Sequence, residues 1–236
     1  MDYTLFVALG FFASIISAIF GFGTALFVLA IGSHILPVKE TIALATVLFT
    51  ASVLAKTWLF ARHIDWKLVA IMVTASLPFA YLGASLLAVA PAPLIKKLLA
   101  AMVLIYLALS LFKLMPRWRI GTAGLIVGST LYGFVSGLIG TGGLIKAILF
   151  KEMNIAKEAF VGAMAATSIL ANFAKLVAYA QTGILTREMA WPAVGLVAAA
   201  LATSFIGRDV LRHFSVRQFE AGVQILLAVL AVGLLF

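Results

Sequence analysis

The sequence predicts an all-α polytopic membrane protein with most of its chain inside a lipid bilayer. Three observations carry this. Of 236 residues, 64% are hydrophobic and only 11% are charged. The mean hydropathy is +1.19. The apolar residues fall in long stretches separated by short charged or proline-bearing turns. Soluble domains are about half apolar and a quarter charged, and so few charges would not cover a water-facing surface. A spanning helix needs about 20 mainly apolar residues, so the chain has room for roughly eight and little else. Neither a soluble domain nor a long linker is expected.

The apolar stretches run about 4–36, 41–60, 67–90, 94–115, 120–150, 157–182, 189–206 and 216–236. The first lacks a basic leader and runs past the usual length of a signal peptide, so it reads as a membrane segment. Arg62-His63-Ile64-Asp65 closes the second. Pro91-Ala92-Pro93 separates the third from the fourth, and Pro116-Arg117-Trp118-Arg119 follows the fourth. Arg208, Asp209, Arg212, His213 and Arg217 precede the last. Trp58, Trp66, Trp118 and Trp191 fall near segment ends, where interfacial aromatics belong. The net charge of +9 sits mostly in loops, where it sets orientation and meets anionic lipid. No basic stripe with interleaved aromatics is present, so nucleic acid is not expected as a partner. Cysteine is absent, which excludes disulfides and thiolate chemistry.

The first and fifth stretches are anomalous. Each is just over 30 residues, about 45 Å as a straight helix against a hydrocarbon core of about 30 Å. Glycine cuts both. Phe20-Gly21-Phe22-Gly23-Thr24 interrupts the first and Ile139-Gly140-Thr141-Gly142-Gly143 the fifth. Glycine loosens a helix and lets a ligand approach the backbone. The two are copies. Ser17 to Gly23 aligns with Ser136 to Gly142 at an offset of 119 (136 − 17). Lys39-Glu40 aligns with Lys157-Glu158 at 118, and Ala55-Lys56 with Ala174-Lys175 at 119. Such an offset predicts two homologous halves, 1–115 and 116–236, forming one integrated membrane domain. Paired glycine-broken segments in corresponding halves point to a transporter binding site.

Loop charges weigh two topologies. If each long segment crosses once, the halves are parallel repeats of four crossings, and loop cations divide eight to six. If each is a re-entrant hairpin followed by three spanning helices, the halves are inverted. The division is then ten to four, with Lys39, Lys96, Lys97 and Arg187 in the minority. The positive-inside rule favours the hairpins. Both topologies put the two termini outside, in the periplasm.

Several of these motifs resemble the sulfite exporter TauE/SafE family, also called the toluene-sulfonate uptake permeases. They are Gly21-Phe22-Gly23, Pro37-Val38-Lys39-Glu40, Arg62-His63-Ile64-Asp65-Trp66 and Gly140-Thr141-Gly142-Gly143, in that order. The resemblance covers essentially the whole chain. It implies a transporter of small, often sulfur-containing anions, sulfite or organosulfonate in type, in the bacterial inner membrane. No cofactor and no catalytic residue are expected from the residues themselves. A homodimer is compatible with the resemblance.

Ionisable residues at membrane depth are costly and functional by default. Lys56, Lys146 and Lys175 fall inside apolar stretches, and Lys56 and Lys175 are repeat equivalents. Against function stands the alternative that Lys56 and Lys175 snorkel to the headgroups from near their segment ends. All eight carboxylates, Asp2, Glu40, Asp65, Glu152, Glu158, Glu188, Asp209 and Glu220, fall at termini, loops or segment edges. An anionic substrate would therefore neutralise the lysines, aided by backbone N–H groups at the glycine breaks. The predicted substrate-binding set is Gly21, Phe22, Gly23, Thr24, Lys56, Gly140, Thr141, Gly142, Gly143, Lys146, Asn172 and Lys175. Ser52, Thr167 and Ser168 are further hydroxyl donors, whereas Ser17 and Ser136 read as helix-packing residues. His34, His63 and His213 lie at segment edges with no metal-ligand spacing, so no metal site is expected. Two other functions stand beside transport: a membrane scaffold or assembly factor, and an intramembrane enzyme. A scaffold leaves the two glycine-broken, lysine-paired halves unexplained.

Overall fold

The computed structural model describes residues 2–20, 24–111, 121–151 and 157–210. Gly21, Phe22 and Gly23, the turn at 116–119 and the last apolar stretch lie outside the described residues. What is described is helical: α1 (Tyr3–Phe20), α2 (Thr24–Ile35), α3 (Val38–Phe60), α4 (Trp66–Val89), α5 (Ala92–Leu111), α6 (Thr122–Ile139), α7 (Gly143–Lys151), α8 (Lys157–Gln181) and α9 (Ala190–Val210). Short 3-10 turns at Ala61–His63 and Arg187–Met189 lead towards α4 and into α9. By length and composition, four helices can cross a membrane: Val38–His63, Trp66–Val89, Thr122–Ile139 and Ala159–Gln181. The chain is thus a multi-pass helical membrane protein.

Local chemistry explains the helix ends. The Asp65 carboxylate accepts the N–H groups of Lys67 and Leu68 at 3.0 and 3.1 Å and so caps α4. Pro93 sits in the first turn of α5, where a missing N–H costs nothing. Gly140 ends α6 with φ +82°, the left-handed conformation in which a side chain would be strained.

Each anomalously long stretch is two helices. The stretch 4–36 divides into α1 and α2, and 120–150 into α6 and α7. Each pair folds back on itself. A Cβ on Gly32, near the end of α2, would stand 2.5 Å from the Phe6 ring near the start of α1. A Cβ on Gly128, early in α6, would stand 2.5 Å from Leu149, late in α7. The pairs open at opposite ends of the bundle. At one end the Tyr3 hydroxyl donates to Glu40 Oε2 at 3.3 Å, and the Tyr3 ring meets Trp191 edge-on at 6.3 Å. Lys39 Nζ there donates to the Ala88 carbonyl at 2.7 Å. At the other end Leu125, Leu149 and Phe150 pack with Met72 of α4 and with Ala163 and Met164 of α8.

The closest packing joins α4 to α6. Ser76, Ala80 and Ala84 on α4 and Ser129, Gly133 and Gly137 on α6 recur every four residues, the small-residue spacing that lets membrane helices approach. A Cβ on Gly133 would lie 2.2 Å from the Ser76 carbonyl oxygen, and one on Gly137 2.3 Å from that of Ala80. Elsewhere α1 packs on α9, α3 on α8 and α9, and α8 on α4. Three consecutive helices start at a fixed spacing. Tyr3 and Thr122, Thr24 and Gly143, and Val38 and Lys157 are each 119 apart (122 − 3, 143 − 24, 157 − 38).

Candidate functional site

A cavity of about 120 Å³ lies among α2, α3, α6, α7 and α8. Its walls follow helical spacing. One face of α3 supplies Phe49, Ser52, Val53 and Lys56, and one face of α8 supplies Val161, Met164, Ala165, Ser168, Asn172 and Lys175. Tyr132, Ser136 and Gly140 come from α6 and its cap, Thr141 and Gly142 from the break, and Gly143 and Lys146 from α7. Ala25 comes from α2. No carboxylate or histidine is among these described residues.

Two lysines are deeply buried there. Lys146 is 3% exposed and Lys175 is 1% exposed. Lys146 Nζ donates to the Met164 carbonyl at 2.6 Å, to Thr167 Oγ1 at 3.3 Å and to Ser168 Oγ. It also lies 4.6 Å from the centre of the Tyr132 ring, within range of a cation–π contact. Lys175 Nζ donates to Ser136 Oγ at 3.0 Å. An ammonium has three donors, so among the described residues Lys175 keeps two for another acceptor. The snorkelling alternative therefore does not describe Lys175, which points to α6 and is shielded from the surface. Lys56 is half-buried and lines the same cavity.

The break between α6 and α7 faces this space. The first N–H of α7 to reach back is that of Lys146, to the Gly142 carbonyl at 3.2 Å. The N–H groups of Gly143, Leu144 and Ile145 precede that bond, and such groups at a helix start favour an anion. Close packing also demands glycine at 142, because a Cβ there would come within 2.6 Å of the Tyr132 ring. Thr141 and Asn172 are buried beside the break and line the cavity.

Eight of the twelve residues singled out from the sequence meet here: Lys56, Gly140, Thr141, Gly142, Gly143, Lys146, Asn172 and Lys175. Thr24 is the first residue of α2, next to Ala25, and Gly21, Phe22 and Gly23 lie outside the described residues. Sequence reasoning missed Tyr132, Phe49 and Val53, and it gave Ser136 to packing although Ser136 holds Lys175. One signal was available. Three of the four lining residues of α3 have a lining counterpart on α8 at the repeat offset: Phe49 with Ser168, Val53 with Asn172, and Lys56 with Lys175 (168 − 49, 172 − 53 and 175 − 56 all equal 119). The lysine is kept in both helices, while the other two positions are apolar on α3 and polar on α8.

A family model described as "Sulfite exporter TauE/SafE" matches residues 6–234. The chain belongs to the TauE/SafE family. That family comprises membrane transporters of the sulfite and sulfonate exporter type, and its match spans every helix that lines the cavity. Comparison with curated proteins and with solved structures gives no match. In this TauE/SafE chain the lining offers cations, hydroxyls, an amide and backbone N–H groups. Those groups can bind an anion stripped of water.

Proposed function

We propose that this TauE/SafE protein carries a small anion, a sulfur oxyanion or organosulfonate, across the bacterial inner membrane through this cavity. The observation that carries the reading is the charge of the lining: Lys56, Lys146 and Lys175, with no acid or histidine among the described residues there. Two ammonium groups out of water, those of Lys146 and Lys175, favour a counter-anion, whereas a cation path would want carboxylates or clustered carbonyls. Lys175, Asn172, Thr141 and the N–H groups at the start of α7 surround the anion. Gly140, Gly142 and Gly143 give the backbone its approach. At the repeat offset of 119, Gly21, Phe22, Gly23 and Thr24 correspond in sequence to Gly140, Thr141, Gly142 and Gly143. Phe49 and Val53 suit the organic part of a sulfonate.

In this reading the halves 1–115 and 116–236 are inverted repeats, each opening with a re-entrant hairpin. The fold-back of α1 on α2 and of α6 on α7 supports it, as do their opposite openings and the 119-residue spacing of helix starts. The packing supports it too, since α1 on α9 is the counterpart of α6 on α4. The bundle end bearing Lys39, Lys96, Lys97 and Arg187 then faces the periplasm. Purified protein in liposomes tests the function. Sulfite or a small sulfonate should move across the vesicle wall at a saturable rate, and sodium or potassium should not be carried in its place. Vesicles no more permeable to any of these anions than protein-free ones would leave the scaffold alternative.

A further inference from the structure

We infer that Lys146 is a positioning residue: it fastens the returning arm of the second hairpin, α7, to α8, and leaves contact with the anion to Lys175. The inference rests on the anion-site reading and divides its lysines into two roles. An ammonium can donate three hydrogen bonds. Lys146 directs all three at α8, to the Met164 carbonyl, Thr167 Oγ1 and Ser168 Oγ. Its fourth neighbour is the Tyr132 ring. The acceptors are engaged as well. Ser168 donates to the Met164 carbonyl at 3.0 Å and receives the Tyr132 hydroxyl at 3.4 Å. Thr167 donates to the Ala163 carbonyl at 2.7 Å. Ser168 therefore lines the cavity without a hydrogen to spare for a ligand.

Lys146 is well placed to hold the helix. It is the fourth residue of α7, which has nine residues. Isolated helices this short are marginal, so α7 depends on what it packs against. The other arm is held separately, by Lys175 Nζ on Ser136 and by the Tyr179 hydroxyl on the Gly137 carbonyl at 2.8 Å. Lys146 thus keeps the start of α7, with its forward-facing N–H groups, against the cavity.

The test uses full-length protein in lipid nanodiscs and two measurements: hydrogen exchange of the α7 amides and calorimetric titration with sodium sulfite. Lys146→Met should speed exchange across Gly143–Lys151 by about tenfold or more, since local opening follows the lost contacts. Lys175→Met should leave α7 exchange near the parent's. Lys146→Gln keeps donors but no charge, and should restore slow exchange and most of the sulfite affinity. Two outcomes overturn the assignment. One is α7 exchange in Lys146→Met equal to the parent's. The other is sulfite affinity lost equally in Lys146→Gln and Lys146→Met while α7 stays protected, which makes Lys146 a direct ligand. If the parent itself binds no sulfite, the anion reading fails, and exchange alone still decides whether Lys146 is the fastener.

Discussion

Replacing Gly133 with alanine places a methyl group in the closest contact between α4 and α6. The new Cβ would stand 2.2 Å from the Ser76 carbonyl oxygen. Carbon and oxygen in such helix contacts normally approach to about 3.3 Å, so the overlap is about 1.1 Å. The struck atom is backbone and cannot rotate aside. A Cβ on Gly137 would stand 2.3 Å from the Ala80 carbonyl oxygen, and one on Gly83 2.2 Å from that of Phe134, so the two backbones are close all along the contact and tilting offers little relief. They must part by about 1 Å, and overpacking of this kind costs about 1–3 kcal/mol. Because α6 carries Ser136, the separation also strains the 3.0 Å bond from Lys175. Thermal unfolding of purified protein should show Gly133→Ala markedly destabilised beside Gly121→Ala, whose site is exposed with nothing within 4 Å. Equal stability of the two variants would refute the close-packed interface.

Three further outcomes follow from the same geometry. Gly140→Ala should lose about 1–2 kcal/mol through left-handed strain alone, plus the cost of a Cβ 3.0 Å from Ile42 Cγ2. Gly183→Ala, at φ +74° with open space around it, should show the strain alone, so equal losses in denaturant titration would remove the role given to the Ile42 contact. Asp65→Ala should cost about 0.5–2 kcal/mol by removing the cap of α4, with Asp65→Asn milder, and a neutral Ala variant would contradict the capping. A reporter fused to the C-terminus should be active in the periplasm, and a cytoplasmic signal there would reverse the orientation drawn from loop charge.

The membrane class was legible because hydropathy is a bulk property of the chain. The helix breaks were legible because glycine at 140 and 142 does what no other residue can: one holds a positive φ and the other clears a tyrosine ring. The packing of α1 on α2 and of α6 on α7 was not legible, since apolar helices on either side of a break carry no directional mark, and loop cations gave only an expectation of hairpins. The lysines of the site stood out against an apolar background. Tyr132, Phe49 and Val53 did not, because an aromatic or aliphatic residue in such a helix faces lipid as readily as a cavity. Ser136 was misjudged because its partner Lys175 lies 39 positions away on another helix, and a small hydroxyl residue in sequence looks the same whether it packs or binds.

The proposed anion site is tested most directly by titrating purified Lys175→Met with the anion that the parent binds. Methionine keeps much of the buried stem and removes the charge, so the fold should survive. Loss of a hydrogen bond to a charged group, worth about 1.5–3 kcal/mol, predicts binding weakened by at least tenfold. Affinity equal to the parent's would contradict the site, because the anion would then be bound without the lysine placed at its centre.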